Sequence, residues 1–159
     1  MDIRLSVPVR RVGSVATAED VRRIALALPR AYEALVRDHV KFRVGRIVFL
    51  SISPDEERLG FGFPKEERAA LVASEPEKFL MPLRSDERYN WVRARLARID
   101  EAELRELIID AWRMCVPKRV AAAYRADAVR WALARIRERP AFEQLRERVR
   151  EIEELKTQF

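Results

Sequence analysis

Between Tyr89 and Arg119 the spacing of the apolar residues changes, and that change constrains the fold more than any other feature of the chain. From Tyr89 to Leu96 it is two: Val92, Ala94 and Leu96 fall on one face, Trp91, Arg93 and Arg95 on the other. A strand with one apolar and one basic face belongs in an antiparallel sheet covered on a single side. Asp100 then stands at the N-cap position of a helix, with Glu101 and Glu103 in the first turn. Leu104, Leu107, Ile108, Ala111, Trp112 and Cys115 recur every three or four residues, which makes one face of that helix apolar. Pro117 is expected to end or kink it, and Lys118 and Arg119 would sit favourably at its C-terminus. An amphipathic strand followed by an amphipathic helix predicts two layers around one core.

The rest of the chain extends the pattern. Ile3, Leu5, Val7 and Val9 alternate, so Asp2–Arg10 reads as an edge strand bearing Pro8. Thr17 with Asp20 forms a capping arrangement ahead of the stripe Val21, Ile24, Ala25, Leu28, and Pro29 closes this first helix. After an irregular stretch, Val40–Val44 alternates, Gly45-Arg46 makes a hairpin turn, and Ile47–Ser53 is a nearly continuous apolar strand. Arg58–Phe63 alternates again, Pro64 precedes a helix over Lys65–Ser74, and Phe79–Leu83 is a short fourth strand before the fifth at Tyr89–Leu96.

The expected fold is therefore α+β, an antiparallel sheet of about five strands with helices packed on one face. Residues 1–16 form an N-terminal segment, 17–126 the α+β domain and 127–159 a C-terminal helical extension. In that extension Asp127–Arg139 is helical in composition, Pro140 interrupts, and Ala141–Lys156 resumes. Phe142, Leu145, Val149 and Ile152 there follow a 3-4-3 seam. Two heptads are too few to stand alone, so the seam needs a surface: its own domain or a second copy in a homodimer.

Four segments carry a resemblance: Phe42-Arg43-Val44-Gly45, Pro76–Phe79 followed by Pro82, Trp91-Val92 with Leu96 after it, and Ala111-Trp112-Arg113 through Pro117-Lys118-Arg119. In this order, from about Thr17 to Tyr124, the chain resembles the MmcQ/YjbR family of small bacterial proteins. That resemblance implies a frataxin-like, "double-wing" α+β fold and, because members are commonly labelled DNA-binding, a DNA partner. Many members carry a histidine just before the tryptophan; here that position is Asn90.

Charge narrows the function classes without choosing one. The chain of 159 residues holds 32 basic and 26 acidic side chains. The surplus lies in residues 1–126, with 24 against 19, while residues 127–159 are nearly balanced. An arginine-rich surplus permits phosphate binding. No apolar run approaches the roughly 20 residues of a membrane span, and residues 1–13 lack the apolar core of a secretory signal. The lone Cys115 cannot form an internal disulfide and reads as a small buried hydrophobe in a reducing cytoplasm.

Catalytic chemistry is not expected. His39 is the only histidine, so no Ser/His/Asp or Cys/His set can be assembled, and no metal-ligand spacing occurs. Glu19 and Asp20 are followed at once by Arg22 and Arg23, which argues against an acidic iron ridge. Gly60-Phe61-Gly62 is a strand doublet without the helix-starting glycine of a phosphate loop. No cofactor is expected either. The candidate that remains is the outer sheet face, Lys41, Arg43, Gly60, Gly62, Trp91, Arg93 and Arg95. Its guanidinium and ammonium groups would hold phosphates, and Trp91 would stack a base over a floor free of side chains. Lys118, Arg119 and Arg125, with Arg113 one turn earlier, form a second basic cluster. The same alternation also arises from a solvated face on which Trp91 is covered and the glycines serve close packing.

Overall fold

The computed structural model describes residues 14–125 and 140–157. They fall into two compact units divided between Pro117 and Lys118. The first unit is α+β. Helix α1 (Ala18–Leu26) leads into four strands, β1 (Ala31–Val36), β2 (His39–Val44), β3 (Ile47–Ile52) and β4 (Arg58–Gly62). Helix α2 (Arg68–Ser74), strands β5 (Phe79–Leu80) and β6 (Trp91–Arg95), and helix α3 (Glu101–Arg113) follow. The strands form one sheet in the order β1-β2-β3-β4-β6-β5, and every neighbouring pair is antiparallel.

Both long helices start where their caps dictate. Thr17 and Asp20 make a reciprocal capping box on α1, and the Asp100 carboxylate accepts the Glu103 amide at the head of α3. Each helix turns its apolar stripe inward: Val21, Ile24 and Ala25 of α1, and Leu104, Ile108, Ala111 and Trp112 of α3. They meet Phe42, Leu50, Ile52, Leu59, Phe61, Val92 and Ala94 of the sheet, all buried. The buried Trp112 indole donates to the Pro29 carbonyl at 2.9 Å, which ties α3 to the end of α1. Arg23 bridges Asp20 and Glu101 at 3.0 Å each, joining the two helix starts, and Lys78 meets Glu103 at 2.9 Å.

The structure differs from the sequence reading in five places. The sheet has a sixth strand, β1, in the stretch read as irregular. It is entered and left through left-handed residues, Arg30 (φ 65) before it and Arg37 (φ 48) with Asp38 (φ 66) in the turn to β2. Helix α2 begins at Arg68, later than Lys65, and strand β5 ends at Leu80. Helix α3 stops at Arg113, so Cys115 sits half-buried in the turn beyond it. Residues 118–125 are helical in their own right, so Lys118 and Arg119 stand at the start of a helical segment, where cations do not gain from the dipole.

In the second unit, helix α4 (Pro140–Thr157) carries the predicted seam. Val149, Ile152 and Leu155 are exposed on it; the side chains of Phe142 and Leu145 lie outside the described residues. The strand expected at Asp2–Arg10 and the helix expected at Asp127–Arg139 also lie outside them. Among the described residues no helix is long and apolar enough to cross a membrane.

Candidate nucleic-acid interface

The helices cover one face of the sheet, and the sequence alternation fixes what the other carries. Register places Lys41 beside Ser51, Ser51 beside Gly60, and Gly60 beside Arg93, so one row crosses β2, β3, β4 and β6. A second row sets Arg58 against Arg95, and a third sets Gly62 against Trp91. Above these rows runs an open groove of about 1290 Å³. Arg37, Lys41, Arg46, Arg58, Arg88 and Arg93 line it, against two acids, Asp55 and Asp86.

None of these six cations takes part in an ion pair among the described residues. The first unit's ion pairs engage Arg22, Arg23, Lys78, Arg105 and Arg113, on or beside the helices. The acids in those pairs, among them Glu19, Asp20, Glu101 and Glu103, lie on the helical side. On the groove side, burial holds the Arg93 guanidinium below its ordinary pKa, and repulsion from Arg58 and Arg95 acts in the same direction against a weaker pull from Asp86.

Local bonds aim the side chains. Trp91 is half-buried, with the Nε1–Cζ2 edge of its indole against Gly60. A Cβ at residue 60 would lie 2.6 Å from Cζ2 and 2.7 Å from Nε1. The glycine floor is therefore occupied by the tryptophan itself. Gly62 faces the other way in effect, since a Cβ there would meet Ala111 of α3 at 3.6 Å. Just before the strand, the Asn90 side chain accepts from the Lys65 amide at 3.1 Å, and Arg68 donates to the Tyr89 and Glu87 carbonyls at 3.0 and 2.7 Å. These bonds hold Tyr89 at the groove, half-exposed, with the Arg88 guanidinium 4.7 Å from its ring centre.

Of the residues expected in the site, Lys41, Trp91 and Arg93 come together in the groove. Arg93 donates its Nε to the Met81 carbonyl at 3.0 Å, which orients the remaining nitrogens. Arg43 and Arg95 share the face but do not line the groove. Arg95 is tied to the Glu77 carbonyl at 2.9 Å, and the Arg43 Nε is buried without a partner. Lys118 and Arg119 belong to the second unit and are exposed. Sequence reasoning missed Arg37, Arg46, Arg58, Arg88 and Tyr89. Arg58 was available from its parity with Gly60; the others sit in turns, where alternation carries no signal. His39 also lines the groove, from β2, and hydrogen-bonds to neither Ser53 nor Asp55. The Ser53 hydroxyl instead donates to Asp55, which holds that carboxyl below its ordinary pKa. Among the described residues no group of three or more His, Cys, Asp or Glu could hold a metal ion.

Comparison with known proteins bears on both family and fold. A family model, YjbR, matches residues 26–114. Among solved structures, the crystal structure of Deinococcus radiodurans protein DR2400, which carries a DUF419 domain, superposes with a TM-score of 0.56 at 19% identity. The match covers 63% of this chain and 78% of that one, and at this identity it speaks to the fold alone. No curated protein matches the chain.

Proposed function

The chain belongs to the YjbR family, and from that premise we propose that it is a non-enzymatic nucleic-acid-binding protein that uses the outer face of its sheet. The observation that carries this reading is the groove lined by six cations, none of them ion-paired among the described residues, beside two aromatic rings. Lys41, Arg58 and Arg93 contact phosphates across the strands, Arg37, Arg46 and Arg88 contact them from the turns, and Trp91 and Tyr89 meet bases. The groove's volume exceeds the ~300–1,000 Å³ typical of small-ligand pockets, which favours an extended ligand over a metabolite. Contacts of this kind read backbone charge, so affinity is modest and sequence preference weak.

Fluorescence anisotropy with labelled oligonucleotides tests the reading. With about six phosphate contacts on a single strand, affinity falls roughly 300-fold between about 50 and 200 mM salt. Absence of binding, or binding indifferent to salt, refutes it.

A second reading rests on α4, whose exposed Val149, Ile152 and Leu155 make an apolar stripe. There the protein dimerises or holds a partner through the seam, and nucleic acid is irrelevant. Light scattering on the whole chain and on an Ile152→Glu variant separates the two. A dimer lost on substitution favours the seam, and a monomer in both cases removes the dimer.

A further inference from the structure

Resting on the nucleic-acid reading, we infer that the groove takes single-stranded nucleic acid in preference to a duplex, with bases stacked on Tyr89 and Trp91 while the cations follow the backbone. Three observations lead there. The first is width. The row Lys41–Ser51–Gly60–Arg93 crosses four strands, roughly 14 Å at the ~4.8 Å strand spacing. A duplex major groove, ~12 Å wide, admits one helix or a two-stranded ribbon. This broad face cannot enter it, and on a duplex it would touch phosphates only.

The second is the placement of the rings. Tyr89 and Trp91 stand two residues apart on the rim and floor of the same groove. Tyr89 is 51% exposed. Arg88 lies against its ring, which leaves the opposite face for a base. Flat aromatic faces have no use on a duplex whose bases are already stacked. On a single strand each is a platform that every base can use.

The third is how firmly the rings are held. Arg68 bonds the Tyr89 carbonyl, the Asn90 side chain bonds the Lys65 amide, and the indole edge is seated on Gly60. The indole of Trp91 and the backbone beneath Tyr89 are preorganised, which lowers the ordering cost of the encounter.

The test is anisotropy on the full chain with three probes of equal length: an oligothymidylate of about a dozen nucleotides, a duplex, and an abasic oligodeoxynucleotide. The inference expects the oligothymidylate to bind about tenfold tighter than the duplex, with the abasic strand weaker than the oligothymidylate by a similar factor. Tyr89→Ala, at an exposed ring, should weaken the oligothymidylate roughly tenfold and the duplex by a much smaller factor. Trp91→Leu should do the same where circular dichroism shows it folded; the tyrosine variant decides the matter if it does not fold. A duplex bound as tightly as the single strand overturns the inference and leaves the nucleic-acid reading standing. So does an abasic strand bound as well as the oligothymidylate, or a Tyr89→Ala variant with unchanged affinity. No binding of any probe overturns both.

Discussion

The indole of Trp91 fills the space that a side chain at Gly60 would need. Its Cζ2, Nε1 and Cε2 atoms would lie 2.6, 2.7 and 2.8 Å from a Cβ there. The glycine is required by this contact, because its backbone is ordinary strand and Leu59, Gly60 and Phe61 are all buried. One residue's missing side chain thus positions another residue at the floor of the groove.

Gly60→Ala should therefore destabilise the protein by about 1–3 kcal/mol through overpacking, measured as a lower urea midpoint at unchanged slope. Trp91 must shift to admit the methyl group, so its fluorescence should change at the same time. An alanine tolerated without either effect would mean that the ring is not seated as described.

Trp112 is fully buried, and its Nε1 donates to the Pro29 carbonyl at 2.9 Å. Trp112→Phe keeps most of the apolar volume but strands that carbonyl. The expected loss is about 1–3 kcal/mol, visible in thermal or denaturant melts. A loss near zero would place a water or another donor at Pro29.

The strands flanking this core were legible because their alternation is strict: Val92 and Ala94 against Trp91, Arg93 and Arg95, and Phe42 against Lys41 and Arg43. Both helix starts were legible from Thr17–Asp20 and Asp100. Strand β1 was not. Its inward residues include Glu33, which pairs with Arg22 of α1 at 2.9 Å, and Leu35, which is 74% exposed at the sheet edge. Apolar and polar residues therefore fail to alternate there. The turn that joins β1 to β2 gave no signal either, since Arg37 and Asp38 take left-handed conformations that Asn-Gly usually announces. The basic face was half legible. Parity gave Lys41, Trp91 and Arg93, but parity cannot say that Arg95 is spent on the Glu77 carbonyl or that Arg37, Arg46 and Arg88 converge on the groove from turns.

Acid should loosen the start of α1. Burial acts to raise the Asp20 carboxyl, but the Thr17 amide and hydroxyl and the Arg23 guanidinium outweigh it and hold its pKa below the usual 3.8. A depressed folded value means that the contribution is fully present above the unfolded pKa and is lost as pH falls through the folded one. Melting temperature should thus decline below about pH 4, and Asp20→Asn should flatten that part of the profile. An identical acid profile in the variant would remove Asp20 from the account.

Cys115 supplies a probe without engineering, being the only cysteine. Burial pushes its thiol pKa up, and its Sγ contacts the Ala111 carbonyl at 3.6 Å. Alkylation by iodoacetamide near pH 8 should run slower than on a free thiol, and it should accelerate only above the ordinary thiol range of about 8.5. A rate equal to that of a free thiol at pH 8 would contradict the half-buried placement beyond α3.

The most direct measurement is backbone amide chemical-shift mapping of the full chain as a short oligothymidylate is added. The account predicts salt-sensitive shifts concentrated on the outer row Lys41, Ser51, Gly60 and Arg93 and on Tyr89 and Trp91, with α1 quiet. Shifts centred on α1 or α4 with that row silent, or no shifts at all, would contradict it.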